Sequence, residues 1–447
     1  MDTRKKISFA GCAAGLLALG LLVVLWWSRY QYDLWGRLSA LACAALFALL
    51  GLRFVPRWVE FWSDDPLPEA PEGDEPRLMS LRIFLALLGL DLFVLLSAWL
   101  LRIALGHGGS FAGTLSFWKC TDSQHYLAIA EDWYLSEGSL DRLVQLVFLP
   151  GYPVLVRLLR HLTGDYLTAG LLLSALCFAG SGVVFYRLLR LDLSHETALR
   201  ALLFLCLMPG SFFYAAPMSE SLFLLCALGC LYLARREHWL AAGLCGAWAA
   251  FTRSLGLTLL APLIMELIAV SARKKLAPGA LVLRIVSLLL IPMGFAAYCA
   301  VNYFVAGEPF RFMTYQSQHW HQNLGLFFNT AAYQLDQALA NFAPHPNLSF
   351  GLWLPNLIYV FGSLAITAAA AKRLRPSYTA WFIAYFVIAI GATWLLSAPR
   401  YLMVMPVLPL SLALLTKREG AKALTAVTLT LFWTLYFLAF LQRWQVW

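Results

Sequence analysis

The stretches LTAGLLLSALCFAGSGVV (167–184) and ALTAVTLTLFWTLYFLAFL (423–441) are almost unbroken apolar runs of helical length. A membrane barrel strand alternates apolar and polar residues over about ten positions, so runs of this kind mark helices that can cross a bilayer. They recur nearly end to end. Of the 447 residues 61% are hydrophobic and 13% charged, with mean hydropathy +0.71. That charged share is about half of what a water-soluble globular chain carries. The sequence therefore predicts an all-α, polytopic integral membrane protein.

Thirteen spans are expected, near 8–27, 38–55, 81–105, 167–186, 198–213, 219–234, 239–251, 255–270, 281–304, 351–371, 378–396, 400–416 and 422–441. The N-terminal run is longer than a signal-peptide core and lacks a small-residue cleavage site, so it is expected to be a retained helix. Alternating the spans gathers Arg4/Lys5/Lys6, Arg187/Arg190, Arg235/Arg236, Arg273/Lys274/Lys275, Lys372/Arg373/Arg375 and Lys417/Arg418 on one side, which the positive-inside bias makes cytoplasmic. The chain then divides into an N-terminal helix pair (1–55), an acidic, proline-rich cytoplasmic linker (56–80) and a transmembrane core (81–447). Two larger loops, 106–166 and 305–350, fall outside. No internal repeat of the kind that marks many transporters is visible.

The formal charge is +9 and the pI near 9.1, but the basic residues sit in short clusters between apolar runs, so nucleic acid is not an expected partner. Nine cysteines without a CxxC pair lie mostly inside apolar runs, which argues against a disulfide framework or a zinc site.

The first external loop holds Trp118-Lys119-Cys120-Thr121-Asp122-Ser123-Gln124-His125-Tyr126. Thr121 and Gln124 have capping-box spacing, so a helix is expected to start here with Asp122 in its first turn. Read from spacing alone, Asp122 can be a mere capping accessory. Phe148-Leu149-Pro150-Gly151-Tyr152-Pro153 and the residues to Arg160 predict an interfacial helix entered through a proline-bounded turn. Pro209, Pro217 and Glu220 interrupt an apolar run, as carboxylates and broken helices do when they line a cavity.

These ordered blocks resemble the PIG-V-like mannosyltransferases of the GT-C class. The family's opening motif is similar to Asp122-Ser123-Gln124-His125-Tyr126 with Ile129-Ala130, although Thr121 stands where the family usually has Trp. Its Phe-Pro-Leu-Tyr-Pro block resembles 148–153, with Gly151 in place of Leu. Pro209, Phe212, Phe213 with Ser219-Glu220-Ser221 resemble a third block. Thr252-Arg253-Ser254-x-Gly256, Gly307-Glu308-Pro309-Phe310 with Gln318 and Trp320, and Arg400-Tyr401 with Pro406 resemble later ones.

The resemblance implies transfer of a hexose, mannose first, from a polyprenyl-phosphate donor to a glycolipid or glycan acceptor outside the cytoplasm, with Asp122 as general base. Arg253 and Arg400, at predicted outer helix ends, are expected to neutralise the departing phosphate without a metal or other cofactor. His125, Tyr126, Tyr152, Gln318, Trp320 and Tyr401 are expected around the substrates. Glu220 either binds sugar hydroxyls or pairs with one of the arginines. A bacterial plasma membrane fits the short connections, with the endoplasmic reticulum as the other location. A transporter or flippase of a lipid-linked glycan, or a non-catalytic partner in a biosynthetic complex, is the alternative; polar content gathered in external loops favours the enzyme.

Overall fold

A computed structural model describes residues 3–62, 78–134, 144–274 and 276–446. Helices α1 (Thr3–Arg29) and α2 (Leu34–Trp62) are a long apolar hairpin. It is not a detached pair. Trp26 is buried and its indole N–H donates to Asn329 Oδ1 at 2.8 Å, while the Ser39 hydroxyl donates to the Ala331 carbonyl at 2.7 Å. Helix α2 continues through Pro56 to Trp62, with Trp58 stacked on Phe54 and tilted against Trp62, each one turn away. The expected linker at 56–80 is therefore helical at its start, and its acidic stretch 63–76 lies outside the described residues.

Helix α3 (Met79–Ala104) leads to a short α4 (Phe111–Leu115), capped by the Ser110 hydroxyl, and to α5 (Ser123–Asp132). The proline-bounded segment forms α6 (Gly151–Thr163), which buries Tyr152 and Val156 and leaves Leu158 and Leu162 exposed, as an interfacial helix would. Helix α7 (Tyr166–Leu189) is capped by Asp165, which accepts from the Thr168 N–H at 2.9 Å. Helix α8 (His195–Leu207) stops before Pro209; a 3-10 turn (Ser211–Ala215) follows, and α9 (Glu220–Arg235) restarts. The remaining helices are α10 (Trp239–Thr252), α11 (Leu260–Arg273), α12 (Pro278–Ala306), α13 (Arg311–Trp320), α14 (Phe327–Asn341), α15 (Pro346–Ala370), α16 (Pro376–Ile390), α17 (Ala398–Met403), α18 (Val407–Leu415) and α19 (Glu419–Leu441). Among the described residues there is no strand, only an isolated bridge between Leu324 and Ala392.

Among the described residues, eight helical segments are long and apolar enough to cross a membrane, and they account for eight of the thirteen expected spans. The other five expected spans, near 198–213, 219–234, 239–251, 378–396 and 400–416, are the shorter helices α8, α9, α10, α16 and the broken pair α17/α18. Prolines and buried polar residues end them early, and such irregular backbone is tolerated at membrane depth only where protein surrounds it.

Helix α9 ties the two ends of the molecule together, Glu220 at one end and Arg235 about 22 Å away at the other. At the Arg235 end, Arg235 forks onto Asp192 at 2.7 and 2.8 Å and Arg375 onto Glu266 at 2.6 and 2.7 Å. These belong to the basic clusters that span alternation puts on one side. At the Glu220 end stand Arg253, Arg400 and Asp122.

Helices α10 and α12 cross at near backbone contact. A Cβ added to Gly294 would meet the Ala247 carbonyl oxygen at 1.9 Å, and one added to Gly243 would meet the Ser287 carbonyl oxygen at 2.2 Å. Small residues at such crossings let helices pack in lipid. Gly294→Val is expected to destabilise the protein by about 1–3 kcal/mol in detergent unfolding, as overpacking does. Gly89→Ala, where an added Cβ meets nothing within 4 Å, is expected to leave the unfolding midpoint within error of the wild type.

Candidate active site

Asp122 stands at the N-terminus of α5, but no capping box forms. Thr121 sits at φ +50, and Asp122 makes no side-chain capping bond. Ser123 takes over the local turn: its hydroxyl accepts from the Cys120 N–H at 2.8 Å and contacts the Trp118 carbonyl at 2.6 Å. The Asp122 carboxylate is left to face Arg400, which donates to it from Nη2. The capping-accessory reading of Asp122 is thereby overturned.

Arg400 reaches this position because Pro399 begins the short α17, whose first turn is buried against the 3-10 turn after Pro209. Its guanidinium lies over the Phe213 ring at 5.6 Å from the centroid. Besides Asp122 it touches Glu220 Oε1, through Nε at 3.1 Å and Nη2 at 3.0 Å. Glu220 Oε1 also accepts from Arg253 Nη1 at 2.7 Å, and Arg253 donates further to the Ser219 hydroxyl at 3.2 Å. Glu220 has no exposed surface, so of its two open roles the structure chooses the ion pair, and with both arginines.

The result is a chain Arg253–Glu220–Arg400–Asp122 carrying two positive and two negative charges, buried except at Asp122, whose side chain is 31% exposed. Arg253 and Arg400 are thus not free cations waiting for a phosphate. Each already has a carboxylate partner within the protein.

Two cavities meet at Asp122, Trp320 and Leu396, which line both. The first, of about 400 Å³, is walled by Tyr126, Phe148, Arg253, Tyr298, Gln316, Arg400 and Tyr401. The second, of about 470 Å³, is walled by Lys119, Gln124, His125, Phe440, Arg443 and Trp444. Tyr126 is fixed by a 2.8 Å hydrogen bond with Ser219, and Arg253 lies over Tyr401 at 5.3 Å. His125 stacks on Phe148 at 4.7 Å. Burial depresses the His125 imidazole below its ordinary value, and the neighbouring Asp122 carboxylate opposes that shift.

Two expected substrate contacts are corrected. Tyr152 is fully buried behind the site, its hydroxyl donating to the Gly170 carbonyl at 2.8 Å and paired with Ser174 at 3.0 Å, so it supports Tyr126 instead of meeting a ligand. Gln318 is exposed and lines neither cavity; Gln316 does. Two positions along a helix rotate a side chain by about 200°, so the amide that faces inward is the earlier one. Gly151, where the resemblance expects Leu, has no room for a side chain: a Cβ would meet the Thr252 hydroxyl at 2.5 Å. That close approach seats α6 against the turn that carries Arg253.

Arg443, which no motif singled out, lines the second cavity and stacks over Phe117 at 4.2 Å, and Arg102 lies over the same ring at 4.3 Å. Among the described residues, no group of three or more His, Cys, Asp or Glu side chains is placed to hold a metal ion.

Residues 102–319 match the sequence model of the mannosyltransferase (PIG-V) family. Over that stretch the chain is similar to the PIG-V mannosyltransferases. The matched PIG-V region contains Asp122, Glu220 and Arg253, while Arg400 and Arg443 lie beyond it. A crystal structure of ArnT from Cupriavidus metallidurans bound to undecaprenyl phosphate is similar at 17% identity and a TM-score of 0.49, covering 79% of this chain. The chain spans 63% of the length of ArnT. No curated protein matches the chain.

Two outcomes are expected from this geometry. Glu220→Gln leaves two buried guanidiniums short of a carboxylate and is expected to cost about 3–5 kcal/mol in detergent unfolding, as breaking a buried ion pair does. In histidine-labelled protein followed by NMR, His125 is expected to titrate below 6.5, and Asp122→Asn is expected to lower its midpoint further, because it removes the charge that favours the imidazolium.

Proposed function

We propose that the protein is an inverting glycosyltransferase that moves a hexose, mannose first among candidates, from a polyprenyl-phosphate donor to a glycolipid or glycan hydroxyl on the extracytoplasmic side of the membrane. The observation that carries this reading is the position of Asp122, at the junction of two separate cavities and held by Arg400. One cavity can take the activated sugar's leaving group and the other the acceptor. The base stands where the two substrates would meet.

In the step proposed, the acceptor oxygen bonds to the sugar C1 as the C1–O bond to the lipid phosphate breaks. The electron pair leaves with the phosphate oxygen, and the acceptor proton passes to Asp122. A single displacement inverts the anomeric centre. Arg400 orients the Asp122 carboxylate, Glu220 fixes both arginines from behind, and the Tyr126, Trp320 and Tyr401 rings supply faces for a sugar. The family match over residues 102–319 supports the sugar chemistry. The eight long apolar helices support a membrane-embedded site, and segregation of the basic clusters to the far end of α9 supports an outward-facing one.

The test is sugar transfer in proteoliposomes from a panel of radiolabelled polyprenyl-phosphate hexoses to a membrane glycolipid extract. Wild type is expected to label the acceptor with one donor, and Asp122→Asn to lower the rate by about 10²–10⁴-fold. Equal rates in both would remove Asp122 as the base. No transfer from any donor, together with solute uptake by the same vesicles, would replace the enzyme by a transporter.

A further inference from the structure

The chain of four charges is balanced, but the cavity beside it is not. Arg102 and Arg443 lie over the same Phe117 ring, and neither forms an ion pair with a carboxylate among the described residues. Their hydrogen bonds to backbone carbonyls are long, 3.5 Å from Arg102 to Leu441 and 3.4 Å from Arg443 to Phe117. Stacking engages the face of a guanidinium and leaves its in-plane N–H groups for an acceptor. Lys119 adds a third cation at the rim, and the one carboxylate in the lining is Asp122, already held by Arg400. Like charges brought this close without a counter-charge call for an anion, and a planar fork of donors suits a phosphate.

A second feature adjoins the first. A groove of about 950 Å³ runs between α15 and α19, lined by apolar side chains such as Leu354, Ile358, Leu424, Phe432 and Leu435. From Leu424 to Leu438 it follows α19 for about 21 Å, most of the depth of a bilayer's hydrocarbon core. Trp444 lines both the groove and the cationic cavity. The molecule therefore offers an anion site joined to a long apolar track.

We propose that this pair of cavities is the seat of the donor's lipid phosphate, with the phosphate held by Lys119 and Arg443 and the polyprenyl chain lying between α15 and α19. The inference rests on the glycosyltransferase reading and sharpens it. It places the leaving group in the Arg443 cavity, the sugar at the Asp122–Trp320 junction, and the acceptor in the cavity walled by Tyr126, Gln316 and Tyr401. The Arg443 cavity carries the net positive charge that a leaving phosphate needs, while the charges beside the Tyr126 cavity are cancelled within the protein. Arg253 and Arg400 then position the base and do not receive the phosphate.

The test is binding, read without turnover. Full-length protein in neutral phosphatidylcholine nanodiscs is titrated with undecaprenyl phosphate, inorganic phosphate and phosphatidylglycerol, following tryptophan fluorescence. Arg443→Gln removes an exposed side chain and is expected to weaken undecaprenyl phosphate and inorganic phosphate alike by about tenfold or more, the loss of one charge-assisted contact. Lys119→Gln is expected to act in the same direction. Gly362→Phe places a ring in the groove, where an added Cβ meets nothing within 4 Å; it is expected to weaken undecaprenyl phosphate and spare inorganic phosphate.

Binding that ignores Arg443→Gln and Gly362→Phe but is lost in Arg253→Gln would overturn the inference and leave the glycosyltransferase reading standing. Equal competition by phosphatidylglycerol would reduce the site to a general anionic-lipid patch, which also overturns it. Transfer that survives Asp122→Asn would sink the enzyme mechanism without moving any of these binding results, so the two failures are distinguishable.

Discussion

Arg400 is the group on which the site depends. Its guanidinium spans from the Asp122 carboxylate to Glu220, and Glu220 in turn holds Arg253. Burying four charges near one another is costly unless each is paired, because desolvation removes far more than a surface ion pair returns. Each charge has an opposite partner here, although Glu220 Oε2 accepts no hydrogen bond, and the pairing joins α5, α9, the turn after α10, and α17 at one point. Removing any member would leave an uncompensated charge in a low-dielectric interior. The same arrangement fixes the direction of the Asp122 carboxylate, which an exposed loop aspartate would not have.

The balance of that chain has a consequence for where an anionic substrate can go. A phosphate brought beside Arg253 and Arg400 would compete with Glu220 and Asp122 for donors already engaged. A phosphate brought beside Arg443 meets a donor whose existing contact is long. Charge bookkeeping across the two cavities thus separates groups that organise the site from groups able to receive a ligand. Both are arginines on the same face of the molecule, and residue type alone does not tell them apart.

Much of the architecture can be read in the sequence because lipid demands local satisfaction of the backbone, so apolar length translates directly into helices. The exceptions are instructive. The Pro209 and Pro406 regions carry apolar residues at span-like density, yet they fold as short helices and turns because neighbouring helices shield them. The Thr121–Gln124 spacing matches a capping box, yet Thr121 takes a left-handed conformation and Ser123 closes the turn. Local pattern was overridden there by a tertiary ion pair.

By itself the sequence determined the membrane class, the all-α fold, the order of the family-like blocks and the grouping of Asp122, Arg253 and Arg400 in turns of one sidedness. Each follows from composition, hydropathy or short motifs, which are properties of neighbouring residues. Only the tertiary structure decided that Glu220 is the shared partner of two arginines, that Tyr152 is a buried support, that Gln316 faces inward in place of Gln318, and that Arg102 and Arg443 stack on one ring. The physical reason is range: Asp122 and Arg400 are 278 positions apart, and Arg443 meets Phe117 across 326. Contacts of that separation are set by how helices pack, and no local pattern encodes them.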